Sequence, residues 1–166
     1  MELQTRNPIT VERNHEVSTF FFRLLVDGGV GCAYDFDGIF CEECPSSGKG
    51  SDEAYYTFLC TANPLFYPHK GHVDLIITGR HHKYRDVTDK WLKRNNISYG
   101  QMIMRDFDID PKDTATPIAE FKASVYGKLP DYTLFVESRL KQAKLIHERT
   151  GKDVFCPVKR TFLTKS

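Results

Sequence analysis

Residues 30–42 read VGCAYDFDGIFCE, from Val30 to Glu42. A short apolar run, Val30 to Tyr34, ends in two aspartates, Asp35 and Asp37, with Gly38 directly after them. A run of continuous apolar residues predicts a strand buried on both faces, as in a parallel sheet. Residues two apart on a strand point to the same side, so Asp35 and Asp37 project together where the run stops. Open α/β sheets keep their working crevice at the carboxyl ends of the strands. Two carboxylates held there repel each other unless a cation lies between them, and hard oxygen donors of this kind suit Mg²⁺. The competing reading of the same residues is a plain Asp-Gly turn.

The segments on either side favour the strand. Upstream, Val17, Phe20, Phe21 and Leu24 recur at helical spacing, predicting a helix from about Asn14 to Gly28, and residues 1–13 are polar and expected to be flexible. Downstream, residues 44–51 read as a loop, and Ser51 followed by Asp52 and Glu53 begins a helix that Asn63-Pro64 ends. Val73 to Thr78 is a second strand with Gly79-Arg80 at its end, and a helix from Tyr84 to Asn95 follows. Met102 to Met104, Leu134 to Val136 and Asp153 to Cys156 supply three more strands. Two further helices lie between these strands. One has Thr116 as its cap, Pro117 at its first position and Gly127 at its end; the other runs from Ser138 to Thr150 and stops at Gly151. Strands alternating with helices predict an α/β fold: three layers around a parallel five-strand sheet, formed by a single domain over residues 14–166.

Composition excludes several classes. The chain has 166 residues, 40% hydrophobic and 27% charged, which suits one globular domain. Its 23 Lys+Arg against 22 Asp+Glu give no electrostatic case for nucleic acid or an acidic membrane. No apolar run approaches the roughly 20 residues of a membrane helix, and the first residues lack the apolar core of a signal peptide. Five cysteines do not suggest a disulfide framework. A cytoplasmic protein is expected.

Four sites, five residues in all, fall at strand ends or on the helix between them. Asp35 and Asp37 close the first strand, and Thr78 closes the second. Lys122 shares the apolar helix face of Ile118, Phe121 and Val125, where a snorkelling lysine is the plain alternative. Glu137 follows the fourth strand and would otherwise serve only as a helix N-terminal charge. A carboxylate pair, a hydroxyl, a cation and a third carboxylate together match phosphoryl transfer through a carboxylate nucleophile with Mg²⁺.

The order DFDGI, IITGR, helical lysine and FVES resembles the four motifs of the haloacid dehalogenase (HAD) superfamily. YDFDGIFCEE, NPLFYP, ITGRHHKYRDVTDKWL, FKASVY and LFVESRLKQA further resemble the HAD-type domain found beside phosphoribosyltransferases in bacteria and viruses. The resemblance implies a Rossmann-like sheet with the first strand between the second and fourth. It also implies a phosphatase acting on a small phosphate ester, such as a nucleotide or phosphosugar. Asp35 would be the nucleophile forming an aspartyl-phosphate, and Asp37 the acid and then the base. Thr78 would bind a phosphoryl oxygen, Lys122 would neutralise charge, and Gly38, Gly79 and Arg80 would lie against the substrate. Mg²⁺ would be held by Asp35, the main-chain carbonyl of Asp37, and Glu137. About thirty residues between the first two strands leave room for a flap and one helix, so the protein is expected to be capless. Arg80, His81, His82 and Arg85 are candidates for an anionic substrate.

Ile39 stands where many HAD phosphatases have Thr or Val, and Glu137-Ser138-Arg139 replaces the common pair of aspartates. One carboxylate fewer and an added cation predict weaker metal binding. The alternative is therefore a non-catalytic or weakly active module that binds a phosphate ligand or a phosphoribosyltransferase partner. Cys41-Glu-Glu-Cys44 lacks a second ligand pair for zinc. Asp106, Asp108 and Asp110 begin like a calcium loop but continue with Pro111 where glycine is required.

Overall fold

The computed structural model describes residues 31–45, 51–66, 68, 71–110 and 114–165. The flexible segment and helix expected before Val30 lie outside these residues, as does most of the loop before Ser51.

The central strand β1 (Cys32–Tyr34) runs parallel to β2 (His72–His81) on one side and β4 (Leu134–Val136) on the other. Beyond them lie β3 (Ser98–Arg105) and β5 (Asp153–Cys156), and a last strand, β6 (Thr161–Leu163), pairs antiparallel with β5. The sheet order is β3-β2-β1-β4-β5-β6. The expected five-strand parallel sheet is thus corrected to six strands, mostly parallel, with one antiparallel edge. The fold is α/β and Rossmann-like, and β1 does lie between β2 and β4. Among the described residues four helices accompany the sheet: α1 (Asp52–Thr61), α2 (Arg85–Arg94), α3 (Ala115–Gly127) and α4 (Leu140–Thr150).

Alternation along β1 divides the core. Cys32 and Tyr34 pack with Phe58 and Leu59 of α1 and with Val87 and Trp91 of α2. Ala33 faces Ala119 and Ala123 of α3 and Ala143 and Ile146 of α4. Each sheet face is therefore covered by two helices, which is why β1 reads as continuously apolar. Ser51 caps α1 by accepting the N–H of Ala54 at 3.1 Å, and Gly151 ends α4 in the left-handed conformation at φ 62°.

Several boundaries differ from expectation. β2 continues through Gly79 and Arg80 to His81, with a register irregularity against β3 between Thr78 and His81, so Gly79-Arg80 is bulged strand and not a following loop. A single 3₁₀ turn, His82–Tyr84, then leads into α2. α3 begins at Ala115, with Thr114 before it, which places Pro117 in the first turn but not at its first position. Gly127 is the last residue of α3 and is not a left-handed cap.

Candidate active site

The loop after β1 is built around Phe36. Its ring goes into the core against Trp91, with ring centres 5.4 Å apart, while Asp35 and Asp37 on either side of it line a cavity of about 480 Å³. The N–H groups of Ile39 and Phe40 both turn back to the carbonyl of Phe36, and Gly38 completes the turn at φ 77°. A Cβ on Gly38 would lie 2.6 Å from Ser138, so glycine is required there both by conformation and by close approach. Gly38 accordingly packs against the β4 loop, whereas Gly79 lines the cavity.

Asp35 is 5% exposed, and its Oδ2 lies 2.8 Å from Nζ of Lys122. The same ammonium lies 2.7 Å from Oε2 of the fully buried Glu137 and donates to Oε1 of Gln142 at 3.1 Å. Its three N–H bonds are therefore all engaged. Burial and the neighbouring Glu137 carboxylate push the pKa of Asp35 well above the carboxylate range, against the pull of Lys122. Burial opposes the charge on Lys122, but Asp35 and Glu137 outweigh it and hold the ammonium protonated.

Asp37 is clamped by Arg80, whose Nε donates to Oδ2 at 3.0 Å and whose Nη2 donates to Oδ1 at 2.7 Å. This bidentate fork is the strong form of a carboxylate–guanidinium pair. Burial alone would raise the pKa of Asp37, but the Arg80 charge and hydrogen bonds lower it overall. Arg80 itself is 2% exposed, lies 3.9 Å from the Phe36 ring centre, and donates also to Thr88 at 3.1 Å and to the Cys41 sulfur at 3.3 Å. Arg80, expected at the substrate, lines the cavity while holding Asp37. Thr78 lies behind it. It is fully buried, it accepts the N–H of Arg80 at 3.2 Å, and it is not part of the cavity wall. Of the other expected anion contacts, His81 lines the cavity, and Arg85 is turned to the Met102 carbonyl at 2.8 Å.

Ser138 and Arg139 occupy the far side. Ser138 Oγ lies 3.0 Å from the Asp37 carbonyl and 2.9 Å from Oε1 of Glu43, and its one proton serves one of them at a time. Arg139 is ion-paired with Glu43, so the cation expected to weaken metal binding is neutralised within the protein. Glu43, Gln142 and Tyr55 are not among the candidates read from the sequence. The signals available were the doubled Glu42-Glu43 after the aspartate motif and a glutamine one turn into the helix that follows Glu137. Tyr55 and Glu43 line the cavity with Asp37, and Gln142 lines it with Lys122.

The donor chemistry fits a hard divalent cation. Among the described residues the three acidic groups Asp35, Asp37 and Glu137 share two cations, Lys122 and Arg80. Among the described residues no group of three or more His, Cys, Asp or Glu is arranged to hold a metal. With the Asp37 side chain turned to Arg80, the donors left are the Asp35 and Glu137 carboxylates and the main-chain carbonyl of Asp37; Glu137 is fully buried behind the cavity wall, its Oε2 2.7 Å from Lys122 and its Oε1 accepting the Arg139 N–H at 2.9 Å.

No family model matches the chain, and no curated protein matches it. Among solved structures, a chain from one described as "Structure of the Pnkp1/Rnl/Hen1 RNA repair complex" superposes with a TM-score of 0.54 at 15% identity. The likeness covers 76% of this chain and 41% of that one, so this protein spans less than half the length of that neighbour. At that identity the likeness bears on the fold alone, and it supports the Rossmann-like α/β architecture. Among the described residues no helix is long and apolar enough to cross a membrane.

Proposed function

We propose that this chain is a Mg²⁺-dependent phosphatase of the HAD kind, working through an aspartyl-phosphate on a small phosphate ester, a nucleotide or a phosphosugar. The observation that supports this most is the shared ammonium: Asp35 and Lys122 line an open cavity, and behind them the fully buried Glu137 takes a second contact from the same Lys122. Besides Lys122, Glu137 has a structural partner in the Arg139 N–H at the start of α4. In this reading two acids on one ammonium suit a site that takes up a further cation together with an anionic substrate.

In this reading Asp35 attacks phosphorus, the ester oxygen leaves, and an acyl-phosphate forms on the Asp35 carboxylate. Water then attacks that phosphorus and regenerates Asp35. Bound Mg²⁺ would be held by Asp35, Glu137 and the Asp37 carbonyl, and would offset negative charge on the phosphoryl oxygens. Asp37, kept ionised by Arg80, is ready to take the proton of the attacking water. In its acid role it must first gain a proton against the pull of Arg80. Lys122 holds Asp35 and Glu137 in place and screens their repulsion. Among the described residues one helix, α1, lies between β1 and β2, and the site reads as capless, which suits a bulky substrate or a lid from a partner.

Release of phosphate from a broad phosphoester panel, with Mg²⁺ and with EDTA, is the test. Metal-dependent turnover on some member is expected, and none on any member would sink the reading. A second reading has its own observation in favour: Lys122 has every N–H taken and Asp37 is locked to Arg80. Such a site also suits a module that binds a phosphate ligand, or a phosphoribosyltransferase, without turnover. Binding that survives Asp35→Asn with no loss would favour it.

A further inference from the structure

Gln142 is a buried polar group for which the scheme above has no use. It lies in the first turn of α4, is 3% exposed, and faces the cavity beside Asp35 and Lys122. Its Oε1 accepts from Lys122 Nζ at 3.1 Å. An ammonium can only donate, so this contact assigns the amide unambiguously, with oxygen toward Lys122 and the –NH₂ on the other branch. Neither hydrogen of that –NH₂ meets an acceptor among the described residues. Buried polar groups are almost always partnered, and one left over at a cavity wall marks a place where something else supplies the acceptor. Lys122, with three acceptors for three N–H bonds, has no donor to spare for an incoming anion.

We propose that Gln142 is a substrate-contacting residue whose amide N–H donates to a phosphoryl oxygen, a role built on the phosphatase reading above. The Oε1 contact with Lys122 holds the amide in the donating orientation before the anion arrives. The anion would then meet Gln142 and Asp35 at the cavity wall, with Lys122 between them.

The experiment measures the affinity of inorganic phosphate, in the presence of Mg²⁺, for wild type, Gln142→Leu and Gln142→Glu, by calorimetry or ³¹P line broadening. Gln142→Leu removes donor and acceptor at similar volume. Gln142→Glu keeps an acceptor for Lys122, removes the donor, and serves if the leucine variant fails to fold. Both are expected to bind phosphate about tenfold or more weakly, the size of one hydrogen bond to a charged partner. If Gln142 serves only to occupy Lys122, Gln142→Leu frees a lysine N–H and phosphate binds as tightly or more tightly. That result overturns the assignment, as does unchanged affinity in Gln142→Glu or a wild type that binds no phosphate. Turnover with phosphate affinity indifferent to Gln142 removes this inference and leaves the phosphatase reading standing. Gln142-dependent phosphate binding without any turnover does the reverse.

Discussion

Asp35 carries the electrostatic tension of the molecule. Its pKa is raised by burial and by Glu137, so the folded state binds this proton more tightly than the unfolded chain does. In that case stability falls as pH rises from the unfolded carboxylate value, about 4, toward the folded one. Asp35→Asn removes the decline while leaving an oxygen for Lys122 to meet, and Lys122 with Glu137 then forms a balanced pair. In EDTA at neutral pH the variant should melt higher by about 2–4 °C, the effect of about 1 kcal/mol in a chain of this size. Added Mg²⁺ should raise the melting temperature of wild type and leave the variant unmoved. A destabilised Asp35→Asn in EDTA would contradict the charge count. Asp37 has the opposite sign. Its folded pKa is lowered, so its contribution to stability is present above about pH 4 and lost as pH falls through the folded value. Replacing Arg80 by Met should move the acid limb of the kcat/KM profile to higher pH, because the guanidinium that favours the charged carboxylate is gone. An unmoved limb would show that Asp37 does not set it. Asp37→Asn should lower turnover by about 10²–10⁴-fold for alkyl phosphates and by less for aryl phosphates, whose leaving groups need little protonation. Equal losses for the two classes would tell against the acid role.

At the scale of elements, the turn after β1 is the part least tolerant of change. Gly38→Ala combines a φ of 77° with a Cβ 2.6 Å from Ser138, and should destabilise the fold by about 1–3 kcal/mol, read by denaturant unfolding. A neutral effect would mean that the turn and the β4 loop separate without penalty. The strands whose apolar runs are unbroken were legible in sequence: Leu134–Val136 and Asp153–Cys156 have the expected bounds. β2 was read too short because His72, Gly79 and Arg80 fall outside the apolar run, and β3 because Ser98, Gly100 and Gln101 precede it, whereas backbone pairing continues on both sides. β6 was missed because three residues with a half-exposed Phe162 carry no alternation, and its pairing with β5 follows a short 3₁₀ turn. At the site, the sequence yielded Asp35, Asp37, Lys122 and Glu137, whose positions follow from strand ends and helix faces. It did not yield the Arg80–Asp37 clamp, between residues 43 apart, or the Arg139–Glu43 pair, between residues 96 apart. Such pairings depend on which strands become neighbours, and no local pattern encodes them.

For the whole molecule, the sheet order makes the site. Placing β1 between β2 and β4 brings Asp35 and Asp37, Arg80 and Glu137 to one end of three adjacent strands, while Lys122 and Gln142 arrive from α3 and α4 on one face. Tyr55 and Ser51 reach the same cavity from α1 and its cap on the other face. A neutral fold could have held these strands with apolar residues, yet among the described residues eight polar or charged side chains are buried, and six of them, Asp35, Arg80, Lys122, Glu137, Ser138 and Gln142, belong to this cluster. The central claim is that Asp35 takes up a phosphoryl group, and it can be examined without knowing the substrate. Beryllium fluoride mimics a phosphoryl group on a carboxylate, and ¹⁹F spectroscopy with Mg²⁺ reports its capture. A bound resonance is predicted for wild type and Asp37→Asn and none for Asp35→Asn. No bound resonance in wild type, or one that persists in Asp35→Asn, would contradict the account.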